Sequence, residues 1–306
     1  MDCSFKDLHW SKEFSLKAYH MPASLEEALD LLEHHQGRAR VIAGGTDIIP
    51  GLRRRAEAAE ALVDISQLPN LKEIQETKEG IEMGSLVTHA QAARSPLLRG
   101  KVRLLAEGAG WVGSPQIRNV GTVAGNLVGA QPAGDASLPL LALNARVTLV
   151  SKKGERRVPL TEFFLSPGRT VIDPGREILT RIHFQALDKA QGCSYQRLAK
   201  RKVLTLPILA VAIVVRVDAA QKQIAEAAIA LGPVAPTPFR AFTSEKLLQG
   251  AEISSQIFKA AAEKAMEEAT PRDSCLRGSC DYRREMVGVL VRRGLRKAVE
   301  ETGFEI

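Results

Sequence analysis

The chain has 306 residues, 45% hydrophobic and 25% charged, which is enough for two domains and too apolar for a disordered polymer. Its net charge of +7 is scattered in short groups (Arg53–Arg54–Arg55, Lys152–Lys153, Arg156–Arg157, Lys200–Arg201–Lys202, Arg283–Arg284, Arg292–Arg293), without zinc-finger spacing, a long basic helix or an aromatic-rich sheet motif. Nucleic acid is therefore not the expected partner, and a basic surface facing an acidic subunit or an anionic cofactor is. Four cysteines (Cys3, Cys193, Cys275, Cys280) make neither a disulfide framework nor a closed metal site, so reduced thiols and no bound metal are expected.

In chain order, the start MDCSFKDLHWSKEF lacks a signal-peptide core, which points to the cytoplasm. Ser24 and Glu27 make a capping box, and Leu25, Ala28, Leu29, Leu31 and Leu32 recur at helical spacing until Gly37. ARVIA then reads as a strand running into Gly44-Gly45-Thr46-Asp47, and ALVDIS (61–66) as a second strand, so the first 66 residues suggest a small βαβ-type lobe. Strand pieces around Gly80, a Thr88-capped helix HAQAAR and a helix at about 97–110 follow. After a long glycine-rich loop (113–134) come an apolar helix SLPLLALNA and the strands RVTLVS and EILTRIHF. This second lobe ends near 186. Beyond it, SYQRLAK, LPILAVAIVVRV and QIAEAAIAL read as strands, and helices are expected at about 243–249, 253–269 and 281–299. Strands first and helices after suggest a separate α+β domain with its helices on one side of a sheet. LPILAVAIVV (206–215), the longest apolar run, falls well short of the ~18 residues of a membrane span.

Two segments carry chemistry. In AGGTD (43–47) adjacent glycines after a strand let backbone N–H groups come close to a phosphate, and Thr46 adds a hydroxyl; alone, it is an ordinary strand–turn pair. GSPQIRNVGTVAGNLVGAQPAGD (113–135) is longer than structureless loops in compact domains generally are. Its Thr122, Gly125 and Asn126 offer donors, and Asp135 can bond a ribose hydroxyl. Together, phosphate-competent turns from two lobes suggest a dinucleotide in the cleft between them. Gly108-Ala-Gly110-Trp-Val-Gly113 fits G-x-G-x-x-G but follows a helical pattern and precedes Ser114-Pro115, the inverse of a Rossmann context, so it reads as a helix end. No G-x-S-x-G elbow occurs, and the six histidines show no ligand spacing; His34-His35 reads as a solvated helix end. A binding apparatus without acid–base machinery is the result.

At these segments the chain resembles the FAD-binding medium subunits of molybdenum hydroxylases, including those of carbon monoxide dehydrogenase, xanthine dehydrogenase and 4-hydroxybenzoyl-CoA reductase. Ala43-Gly-Gly-Thr-Asp-Ile48, Arg118-Asn-Val-Gly-Thr-Val-Ala-Gly-Asn126 and Pro132-Ala-Gly-Asp135 match the family pattern in order, joined by GCSYQRLAKR and RGSCDYRREM, over about residues 14–300. The resemblance implies an α+β fold: a two-lobed FAD-binding domain of the vanillyl-alcohol-oxidase (PCMH) type at 1–186, with lobes of about 1–66 and 67–186. An α+β C-terminal domain of the CO-dehydrogenase flavoprotein type follows at 187–306. It implies non-covalent FAD held at its pyrophosphate by Ala43, Gly44, Gly45, Thr46, Asp47, Thr122, Val123, Ala124, Gly125 and Asn126, and at a ribose by Asp135. Val41, Ile42, Val112 and Thr180 would line the flavin, and Arg197 falls where relatives place a lysine near the isoalloxazine. No residue is implied as catalytic.

Two departures concern Ala124, whose methyl would hinder a positive φ, and Arg197, whose planar fork replaces a point charge. A third is the stretch 127–134, without the cysteines of an extra iron–sulfur cluster. The resemblance also implies partners: a large subunit with molybdopterin and a small one with iron–sulfur (2Fe–2S) clusters, in a dimer of heterotrimers. Electrons would pass between those clusters and NAD or another acceptor. Two rival functions are a stand-alone flavin oxidase or reductase of the same superclass and a non-enzymatic nucleotide-binding module.

Overall fold

The computed structural model describes residues 16–54, 58–202 and 204–304; Cys3, His9, Arg55 and the opening segment lie outside them. The first lobe is a three-stranded parallel sheet of β1 (Ala18–His20), β2 (Ala39–Ile42) and β3 (Ala61–Asp64), ordered β1-β3-β2. Helix α1 (Leu25–His34) closes its core with Ala28, Leu29 and Leu32, and α2 (Ile48–Arg53) follows the glycine turn. Ser24 caps α1 as expected, with Glu27 N–H at 3.1 Å, but the Glu27 carboxylate reaches the Ala23 N–H, one residue earlier than a standard box.

The second lobe is an antiparallel sheet built from β4 (Ile74–Thr77), β5 (Gly80–Gly84), β6 (Arg146–Ser151), β7 (Gly154–Pro159) and β10 (Ile178–Phe184). Its order is β4-β5-β10-β6-β7, so the last strand inserts at the centre. A short hairpin of β8 (Phe164–Ser166) and β9 (Arg169–Thr170) stands apart, which the sequence did not suggest. Helices α3 (His89–Arg94), α4 (Pro96–Lys101), α5 (Arg103–Trp111) and α8 (Ser137–Ala142) help bury the inner face.

Two expectations fail here. The helix foreseen at 97–110 is broken at buried Val102, whose φ of −148° and ψ of 52° cannot continue a helix. The glycine-rich loop also contains two helices, α6 (Pro115–Val120) and α7 (Val123–Val128), started by Ser114 and Thr122, which accept from the Ile117 and Gly125 N–H groups. Pro115 sits in the first turn of α6, where no backbone donor is needed, so Ser114-Pro115 opens a helix inside the stretch read as a loop.

The C-terminal part is an antiparallel sheet of β11 (Gln191–Leu198), β12 (Leu209–Asp218), β13 (Gln223–Gly232) and β14 (Phe239–Arg240), in that order, with α9 (Phe242–Leu248), α10 (Ser255–Glu268) and α11 (Cys280–Glu300). On β12, Leu209, Val211, Ile213 and Val215 enter the core shared with α10 and α11. The alternate residues Ala210, Ala212 and Val214 join Leu138 and Leu140 in the core of the second lobe. Both faces are buried, which is why β12 reads as a continuous apolar run. The helices do lie on one side of this sheet, and its other face packs on the second lobe in a shared core. Among the described residues no helix is long and apolar enough to cross a membrane.

Candidate functional site

The two glycine segments meet. A Cβ placed on Gly44 would lie 2.0 Å from the Val120 carbonyl oxygen, so only glycine lets the β2–α2 turn touch the end of α6. Gly45 has φ +70°, a left-handed conformation that glycine adopts at no steric cost. On the far side of the contact, Thr46 Oγ1 lies 3.2 Å from where a Cβ on Gly121 would stand. Thr122 Oγ1 accepts the Gly125 N–H at 2.9 Å, and the Val123 N–H is fixed by the Val87 carbonyl. Asp47 flanks this seam with its carboxyl pKa raised by burial, against the opposing pull of Arg54. Ala124 is buried within α7 and is not among the residues with positive φ. The methyl therefore meets no backbone strain, and the difficulty expected at this position does not arise.

Asp135 and Arg197, foreseen in separate roles, form one buried ion pair. Arg197 Nε donates to Asp135 Oδ1 at 2.8 Å, with side-chain exposures of 6% and 5%. The Tyr195 hydroxyl donates to the same oxygen at 2.7 Å, and burial followed by the Asp135 charge drives the phenol well above its ordinary pKa. Only Asp135 Oδ2, 3.4 Å from Arg197 Nη2, keeps free capacity for a ribose hydroxyl. The guanidinium lies 5.1 Å from the centre of the Trp111 ring, and Nη2 donates to the Thr205 carbonyl. Neighbouring Val112 is half-buried, its carbonyl held by Arg118 at 2.9 Å.

Val41 and Ile42 end β2 just before the turn, but Thr180 is placed differently. It is buried on the wall of a cavity of about 470 Å³ between Leu25, Leu68 and Leu71 of the first lobe and the Glu82–Thr148–Arg181–His183 face of the second-lobe sheet. None of the other expected cofactor residues lines that cavity.

Sequence reasoning missed the segment Ser85–His89, which joins β5 to α3 beneath the seam. Val87 and His89 hold the second glycine segment through backbone hydrogen bonds, and Thr88 bridges Thr122. Ser85 Oγ and His89 Nδ1 are buried without partners. Burial first, then Arg118, push the His89 pKa down to about 4. The only available signal was the capping box at Thr88 and Gln91, which explains a helix start and nothing more. The sequence also missed a histidine contact, His20 Nε2 to His35 Nε2 at 2.9 Å, so His35 is not merely solvated. Part of the basic excess is matched within the chain: Arg156 pairs with Glu177 at 2.7 Å, Arg157 with Glu79 at 2.9 Å, and Lys152 with Asp30 and Glu33.

Comparison with known proteins bears directly on this site. Residues 12–184 match the family described as the FAD binding domain in molybdopterin dehydrogenase. Residues 194–298 match the CO dehydrogenase flavoprotein C-terminal domain. The chain is 31% identical over 280 residues to the carbon monoxide dehydrogenase medium chain of Hydrogenophaga pseudoflava, covering 92% of this chain and 96% of that one. It is 33% identical to the 6-hydroxypseudooxynicotine dehydrogenase complex subunit alpha of Paenarthrobacter nicotinovorans, covering 92% and 94%. A solved carbon monoxide dehydrogenase from H. pseudoflava superposes with a TM-score of 0.89 at 31% identity over 94% of this chain and 98% of that one. The fold thus belongs to a known architecture, and the chain is a member of the FAD-binding subunits of the molybdenum hydroxylases, a family of oxidoreductases.

Proposed function

We propose that this chain holds FAD non-covalently in the seam between its two glycine segments and works as the electron-transfer subunit of a molybdopterin-dependent hydroxylase or dehydrogenase. The observation that carries this reading is the contact of Gly44 with Val120, which joins two runs of backbone donors into one cradle. The cradle fits a dinucleotide: Gly44, Gly45 and Gly125 leave the backbone open, Thr46 and Thr122 add hydroxyls, and Ser85 Oγ, on the segment beneath it, is buried without a partner. In this reading Ala43–Asp47 and Thr122–Asn126 hold the diphosphate, while Asp135 Oδ2 takes a ribose hydroxyl and Oδ1 keeps Arg197 oriented. Val41, Ile42, Val112 and Arg197 line the flavin, whereas Thr180 lies on the wall of the separate cavity.

FAD supplies a centre able to exchange electrons singly or in pairs, and the protein contributes position and electrostatics. Substrate chemistry then belongs to a molybdopterin-bearing large subunit, and single electrons to iron–sulfur clusters in a small subunit. NAD or another acceptor completes the path, in a cytoplasmic dimer of heterotrimers.

The test is purification of the native complex. Expected are a flavin absorbance near ~450 nm, released on denaturation, and co-purifying larger and smaller subunits. A lone polypeptide that turns over an alcohol or amine would establish a self-sufficient flavin oxidase instead. Colourless protein after addition of FAD would leave a nucleotide-binding module without redox function.

A further inference from the structure

His89 begins α3 and is fastened to the second glycine segment by its backbone N–H, which donates to the Gly121 carbonyl at 3.0 Å. Its side chain is almost fully enclosed, with the residue 3% exposed. The orientation of the ring is informative. A Cβ on Gly121 would stand 3.6 Å from His89 Cδ2 and 3.2 Å from Thr46 Oγ1, so the Cδ2–Nε2 edge is the one turned to the seam. Nδ1, on the opposite edge, is the ring nitrogen sealed from solvent without a partner. Buried donors are left unpaired more rarely than buried acceptors, which puts the single proton on Nε2. Burial and Arg118 keep the ring from taking a second proton near neutrality.

We propose that His89 is a cofactor-binding residue: a neutral imidazole whose Nε2–H donates, at the seam of the glycine cradle, to the diphosphate of the bound dinucleotide. This rests on the reading that FAD occupies the cradle. Arg118 is the charged group that acts on the ring, and among the described residues the ring forms no ion pair. A neutral donor adds a directed hydrogen bond without linking cofactor affinity to proton uptake. It also accounts for a histidine enclosed where a leucine would pack.

Side-chain geometry provides the test. A glutamine amide nitrogen reaches about as far as histidine Nε2, and an asparagine amide nitrogen about as far as Nδ1. Flavin-stripped full chain is titrated with FAD, and separately with ADP, which carries the diphosphate without the flavin. His89→Gln should hold both within about threefold of the parent, whereas His89→Asn should lose about tenfold or more for both. Melting of the apoproteins checks that each variant folds. Equal losses in the two variants, or none in His89→Asn, would overturn the assignment. The parent protein gives a second reading that needs no variant: its FAD affinity should stay flat from about pH 6 to 8, and a steep weakening as pH rises would reveal a protonated ring and overturn the neutral donor. A parent chain that binds no FAD at any pH would instead sink the cradle reading itself.

Discussion

The glycine cradle and the Asp135–Arg197 clasp lie in the same molecule and are built on opposite principles. In the cradle, contact depends on side chains that are missing: Gly44 meets the Val120 carbonyl because nothing projects between them. In the clasp, contact depends on side chains that are present, charged and almost fully enclosed, with Tyr195 as a third member. The first tolerates no added atom. The second tolerates no lost partner, because a buried charge stripped of its counter-charge is left poorly solvated. Added bulk therefore attacks the cradle, whereas charge removal attacks the clasp.

The sharpest way to break this contrast is Gly44→Val. Its Cβ must displace the Val120 carbonyl, so flavin content should fall below about a tenth of the parent and stability by several kcal/mol, about 3 or more. Flavin-to-protein ratio and urea unfolding measure both, and normal flavin content would mean the turns do not form the cradle. Next in size, Asp135→Asn and Arg197→Met should each cost about 3 kcal/mol or more, and the double variant less than their sum. A double-mutant cycle by urea denaturation reads the coupling, and simple additivity would show that the pair is not a unit.

Acid stability separates the regions further. The folded His89 pKa lies below that of an unfolded histidine, so the unfolded chain binds more protons between the two values. Stability is therefore fully present above about pH 6.5 and is lost as pH falls toward about 4, by up to roughly 3 kcal/mol. His89→Gln should flatten that loss. Some slope will persist, because burial lowers the His183 pKa in the same sense. An unchanged acid profile in the variant would place the lability elsewhere. Smallest of all, Thr122→Ala removes the hydroxyl that accepts the Gly125 N–H and should cost about 1 kcal/mol in urea.

These contrasts also explain what could be read from sequence. The cradle was legible because missing side chains leave a mark in the chain itself, as glycines beside hydroxyl residues. The strands of β6, β10 and β12 were legible through apolar runs, and α1 and α3 through their caps. The clasp was not legible as a unit, because nothing local says that Asp135 and Arg197 meet. The break at Val102 depends on one residue's backbone angles inside an otherwise helical pattern. The helices α6 and α7 were hidden by their composition, since Pro115 and Gly125 weaken a helix except where a first turn or a cap accommodates them. His89 was hidden because its significance is an unpaired nitrogen, a property of its surroundings.

The alanine face of β12 and β13 carries a consequence for how this chain can vary. Ala210, Ala212, Ala228 and Ala230 are small enough for α8 to lie directly on the sheet, and Gly232 stands where a Cβ would come within 2.3 Å of the Pro132 carbonyl. A bulkier residue on either side of that seam needs a matching reduction opposite. The two halves are thus bound to diverge as a pair. A C-terminal half borrowed from a relative about 30% identical should fit poorly unless residues 132–142 travel with it.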